Sequence, residues 1–134
     1  MISIHPGAEE PNSKLDDHIR GARIYTDCAA VYEFSAREAQ LVETPDSGVI
    51  QSFTKLAKEA TLAAEYFASQ AHYLKNDVSL PYDYFTPIIE KHKRSLGEDL
   101  VATANRGEWD LLTKILDGCL EYKEIQTWIV TRTR

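Results

Sequence analysis

A chain of 134 residues with a net charge of −6 and a pI near 5.2 can enclose a core of its own. Its 43% apolar and 27% charged residues are globular values, and the acidic balance excludes a nucleic-acid binder that works by neutralising phosphates. No window nears the ~18 consecutive apolar residues of a membrane span. Two distant cysteines, Cys28 and Cys119, with no CxxC or Cys/His cluster, argue against structural zinc and read as free thiols in a cytoplasmic setting.

Residues 1–13 read as an irregular lead-in, because Pro6, Gly7, Pro11 and Asn12 interrupt regular structure. MISIHPGAEE is too acidic, and too short in apolar residues, for a secretory signal. Ser13 is the expected N-cap of a helix over about 14–42. Leu15, Ile19, Ala22, Tyr25, Ala29, Tyr32 and Ala36 keep helical spacing, while Ile24, Val31 and Phe34 lie off that stripe. A helix apolar on more than one side belongs at the centre of a bundle or at an interface. Asp16–Arg20 and Glu33–Arg37 are expected i,i+4 ion pairs on its surface.

TPDSG (44–48) is a turn. The next helix, about 49–75, carries a stripe of Val49, Phe53, Leu56, Ala60, Ala63, Ala64, Phe67, Ala71 and Leu74. Its alanines favour helix and allow close approach of a second helix. Two long helices joined by a short turn form an antiparallel hairpin. NDVSLPYDYFTP (76–87) is a connector. Thr86–Pro87 reads as N-cap and first residue of a third helix, about 87–105, with Ile88, Ile89, His92, Leu96, Leu100 and Ala104 inward. A fourth helix, about 108–121, should turn Trp109, Leu112, Ile115, Leu116 and Cys119 inward. The tail KEIQTWIVTRTR is rich in β-branched residues and reads as helix or as a short strand, with Ile2–Ile4 the only obvious pairing partner. The expected fold is a single all-α, four-helix bundle-like domain.

Catalytic signatures are missing from the local sequence. There is no HExxH, Glu-x-x-His, GxSxG, GxGxxG, P-loop or EF-hand pattern. Glu65 and His72 share a helix face but stand ~10.5 Å apart along it at ~1.5 Å per residue, too far to hold one ion alone. Adjacent carboxylates such as Asp16 and Asp17 diverge by about 100° around a helix and make no acid/base pair. No catalytic residue, metal ligand or cofactor is assigned.

Surface patterning remains. Residues 1–47 hold nine acidic and four basic groups, −5 of the net −6. Lys91, Lys93 and Arg94, beside Glu90, Glu98 and Asp99, read as a solvated face. Leu62, Tyr66, Ser69 and Tyr73 form a second stripe on the second helix, and Tyr82 and Tyr84 follow in the connector. Tyrosine joins a large apolar area to a polar tip and is enriched at interfaces.

The expected function is therefore binding of another macromolecule, in the manner of an adaptor, immunity protein or inhibitor. The expected contacts are Asp16, Asp17, Glu33, Leu62, Tyr66, Tyr73, Tyr82 and Tyr84, facing a protein partner with a basic surface. Direct nucleic-acid or membrane binding is not expected, and a homo-oligomer is open. Two alternatives stand beside this: an enzyme or a metal- or ligand-binding bundle assembled around His72 and His92, and a structural subunit of a larger assembly.

Overall fold

Long apolar stripes broken by proline- and glycine-bearing segments become helices packed on one another. The computed structural model describes residues 11–133. Among them are α1 (Pro11–Leu41), α2 (Ser47–Asn76), α3 (Thr86–Asn105), α4 (Trp109–Leu120) and α5 (Lys123–Thr133), with a 3₁₀ turn at Tyr82–Tyr84 and no strand. The fold is all-α with bundle packing. Residues 11–13 are the first turn of α1 and not part of a lead-in, so the cap expected at Ser13 falls inside the helix. Proline is tolerated in a first helical turn, where its missing N–H would find no partner. The rest of the expected lead-in, and Ile2–Ile4, lie outside the described residues.

Asp46 stops the TPDSG turn and starts α2. Its carboxylate accepts from the backbone N–H groups of Gly48 and Val49 at 2.8 and 3.3 Å, which supplies partners for two otherwise orphaned donors. At the other end Asp77 adopts a left-handed conformation, φ 56°, and returns its N–H to the Tyr73 carbonyl. Gly21 and Tyr25 of α1 meet Phe67 of α2, and Phe34, further along α1, clusters with Ala57, earlier in α2, so the two long helices run antiparallel as expected. The approach is close. A Cβ placed on Gly21 would stand 2.8 Å from Phe67 Cγ, and the Phe67 ring is itself stacked on Tyr25 at 5.6 Å.

α1 packs on α2, α3 and α4, the central position that its several apolar sides imply. One core cluster joins Ala29, Tyr32 and Phe34 of α1 to Ala57 and Ala60 of α2, Leu100 of α3 and Leu112 of α4. A second joins Tyr25, Ala63, Ala64, Phe85, Ile89 and Ile129. The tail is helix, not strand. Gln126, Ile129 and Val130 fall on one face and are buried, and α5 lies along α2. Burial on a helical period overrides the strand preference of its β-branched residues. Gln126 Nε2 donates to the Leu56 carbonyl at 3.2 Å, which satisfies a buried carboxamide.

The cysteines are joined. Cys28 of α1 and Cys119 of α4 form a disulfide across 91 residues, with 4% and 6% of their surfaces exposed. The expectation of free thiols fails because it rested on sequence spacing, and only tertiary packing brings these two together. Three residues from each cysteine, Tyr25 of α1 meets Tyr122 of the α4–α5 junction edge-on at 6.1 Å. The middle of α1 is thus fastened to the α4–α5 junction by a bond and a ring contact.

Lys93 also departs from expectation. It is not part of a solvated face but is 6% exposed. Its ammonium donates to Glu33 and Glu90 at 2.7 Å and to the Thr61 hydroxyl at 3.2 Å, tying three helices together. Burial pulls its pKa down, but the hydrogen bonds and charges of the two glutamates outweigh that and hold it above the usual lysine value. Elsewhere Tyr32 is fully buried, and its hydroxyl has no hydrogen-bond partner among the described residues.

Candidate interaction faces and a three-helix groove

The residues expected to meet a partner divide into three groups. Asp16 and Asp17 are exposed near the start of α1. Arg20 pairs with Asp17 at 3.2 Å, one residue nearer than the expected partner Asp16. Glu33 is half-buried and engaged by Lys93, where Arg37 was expected. The acidic surface of α1 is therefore narrower than its composition implies.

The second stripe of α2 is largely occupied by the chain itself. Leu62 and Tyr66 are half-buried. Tyr66 packs edge-on to Phe67 at 5.2 Å and joins Leu80 against the second core cluster. Buried Ser69 donates to the Leu80 carbonyl at 3.2 Å. Glu65, on the same side, accepts from the Thr86 hydroxyl at 2.5 Å. Thr86 is thus a tether to α2 rather than the cap of α3, and Phe85 holds the cap position. Tyr82 is half-buried, and its phenol is pushed up by burial and by the neighbouring Tyr66 and Glu65.

Of the tyrosines expected at an interface, only Tyr73 and Tyr84 are exposed, each over about half its surface. Tyr84 is held edge-on to Phe85 at 5.1 Å, with the His72 ring 6.4 Å away. His72 Nδ1 accepts from the Asn76 amide at 3.2 Å. His72 and His92 do not converge: His72 belongs to this aromatic corner, and His92 lines a separate groove. Among the described residues no group of three or more His, Cys, Asp or Glu side chains could hold a metal ion.

The exposed aromatics that pattern reading missed lie on α4 and α5. The chain has two tryptophans, and both are half outside: Trp109 is 50% exposed and Trp128 55%. Trp109 was expected inward. It is the first residue of α4, where no preceding turn covers it. On α5, Ile125, Trp128 and Arg132 are exposed at i, i+3, i+7, opposite the buried face. The Arg132 guanidinium sits 4.3 Å over the Trp128 ring, a cation–π arrangement. The tail's helical period would have placed these three on one face, had helix been chosen over strand.

A groove of about 400 Å³ opens between α1, α2 and α3. Ala22, Ala68, Ile88 and Ile89 give it apolar walls, the two alanines leaving the space that larger side chains would fill. Arg23 and Asp27, four residues apart on α1, and the His92 imidazole from α3 supply its polar groups. None of these three makes a hydrogen bond or ion pair with another described residue. Asp27 reaches solvent, yet the surrounding protein removes enough water to push its carboxyl above the usual aspartate value. The charges of Arg23 and His92 only partly offset that effect.

Comparison of the chain with known protein families, with curated proteins and with solved structures finds no match. No helix among the described residues is long and apolar enough to cross a membrane.

Proposed function

We propose that the chain is a binding protein that docks another protein through the outer face of α5. What carries this reading is the exposure of both tryptophans, above all Trp128 with Arg132 over its ring and Ile125 one turn before. Tryptophan and arginine are the residue types that dominate binding energy at interfaces. A half-exposed indole already ordered by a guanidinium loses little freedom on docking. Tyr73 and Tyr84 are two further exposed aromatic side chains. Asp16 and Asp17 add a local negative field that would speed encounter with a basic surface.

A buried disulfide is a bond that oxidising compartments form and keep, which weighs against the cytoplasmic setting expected from the sequence. Self-association through the same α5 face is the competing reading.

The test is a photoreactive side chain at position 128, cross-linked in extract of the native host, followed by mass identification and affinity measurement with the purified partner. Trp128→Ala should weaken that affinity by about 30-fold or more, the effect of a hot-spot residue. Double replacement of Asp16 and Asp17 by lysine should instead slow association at low salt. Cross-linking only to a second copy would favour self-association. An affinity unchanged by Trp128→Ala would refute the α5 face.

A further inference from the structure

The groove between α1, α2 and α3 differs in kind from the aromatic faces. It is concave, walled by Ile88, Ile89 and two alanines, and rimmed by charges of both signs. Its volume of about 400 Å³ is at the small end of the range for ligand sites, roughly 300–1,000 Å³.

We propose that this groove binds a small zwitterion with an apolar body, of the class of a free α-amino acid with a large apolar side chain. Arg23 holds the carboxylate; Asp27, with His92 near it, holds the ammonium; the side chain lies on Ile88, Ile89 and Ala68.

The charge pattern selects this class over simpler ones. A monoanion that reached Arg23 would also face Asp27, and a monocation on Asp27 would face Arg23. A neutral apolar molecule would strip water from both charges and replace none of it. A ligand with both charges on one carbon answers each. Arg23, Asp27 and His92 feel one another's charge but none is held in a hydrogen bond or ion pair with a described residue. Lys93, the next residue after His92, shows the opposite arrangement, with its charge fully spent within the fold. This inference stands apart from the α5 face and does not depend on it.

Three probes separate the contributions: L-phenylalanine, its amide, which lacks the carboxylate, and 3-phenylpropionate, which lacks the ammonium. Binding is followed by calorimetry and by chemical-shift changes at α1 and α3. Phenylalanine should bind saturably, and each truncated probe about tenfold or more weaker, the factor that one charge-assisted hydrogen bond commands. Arg23→Ala should erase the preference for phenylalanine over its amide. Asp27→Asn should erase the preference over 3-phenylpropionate. Both side chains are at the surface, and unchanged thermal unfolding of the variants confirms an intact fold. No saturable binding of phenylalanine at millimolar concentration, equal affinity for all three probes, or a preference that survives its matching substitution each overturns the proposal.

Discussion

Breaking the Cys28–Cys119 bond should remove a large part of the protein's stability without changing its folded shape. The cross-link closes 91 residues. In the chain-entropy treatment a closed loop of that size lowers the entropy of the unfolded chain by about 15 cal/mol/K, or ~4.6 kcal/mol at 25 °C. Domains of this size have a net stability of about 5–15 kcal/mol, so the loss is a third of the total or more. The assay is urea unfolding of the oxidised protein, of the same protein reduced after unfolding, and of Cys28→Ala/Cys119→Ala. The reduced protein isolates the cross-link, and the double variant adds a cavity of two sulfurs, about 1 kcal/mol more. The denaturant slope should also rise, because an uncross-linked unfolded chain exposes more surface. Since both sulfurs are buried, reductant should act slowly on the native protein and rapidly in denaturant. A stability change below about 1 kcal/mol in both the reduced and the alanine forms would refute the reasoning, as would an unchanged slope.

Three further outcomes are expected. Gly21→Ala gains about 1 kcal/mol of helix propensity but drives a methyl group into the Phe67 ring, which Tyr25 holds from its own stacked face. Overpacking costs about 1–3 kcal/mol, so thermal unfolding should show a net loss, and the Tyr25 and Phe67 ring resonances should shift. Lys93→Met should cost roughly 2–3 kcal/mol, less than the ~3–5 of a fully enclosed pair, because both glutamate partners keep contact with water. A lysine with a raised folded pKa stabilises fully below its unfolded value of 10.5 and loses that contribution as pH climbs through the folded value. The deficit of the variant should therefore be constant near neutrality and shrink in strong alkali, as read by denaturant midpoints at several pH values. Tyr32→Phe removes a buried hydroxyl with no partner among the described residues, so it should leave stability unchanged or raise it by up to about 1 kcal/mol.

The sequence reports its features unevenly, for physical reasons. α2 is legible because its apolar stripe repeats over many turns and Asp46 stands at its start, where only a short polar side chain caps well. The central place of α1 follows from apolar residues on several of its sides. Trp109 was misread because a helical stripe was extended to a residue with no turn before it to pack upon. Glu33 and Lys93 were each given to solvent because their partners lie on different helices, 60 residues apart. The same blindness hid the disulfide and the meeting of Asp27 with His92: pairwise spacing within a helix carries no signal of contacts between helices. The tyrosine stripe was seen, but a pattern cannot say whether the connector covers it; Leu80, held by Ser69, packs with Tyr66, while Tyr73 stays exposed.

The bond from Gln126 to the Leu56 carbonyl sets the register of α5 along α2. Ile129 packs in the cluster that holds Ala63 and Ala64 of α2 with Tyr25, Phe85 and Ile89, and Val130 is buried next to it in the chain. Any shift of α5 from this seat would strand the carboxamide at a cost of about 1–3 kcal/mol. That polar pair, together with the α4–α5 junction fastened to α1 by the disulfide, gives α5 a single seat. Because Trp128 and Arg132 are carried on the same helix, the seat also fixes where along the bundle the aromatic face is presented. Gln126→Leu, though more apolar, would be expected to blur that position before it weakened the fold.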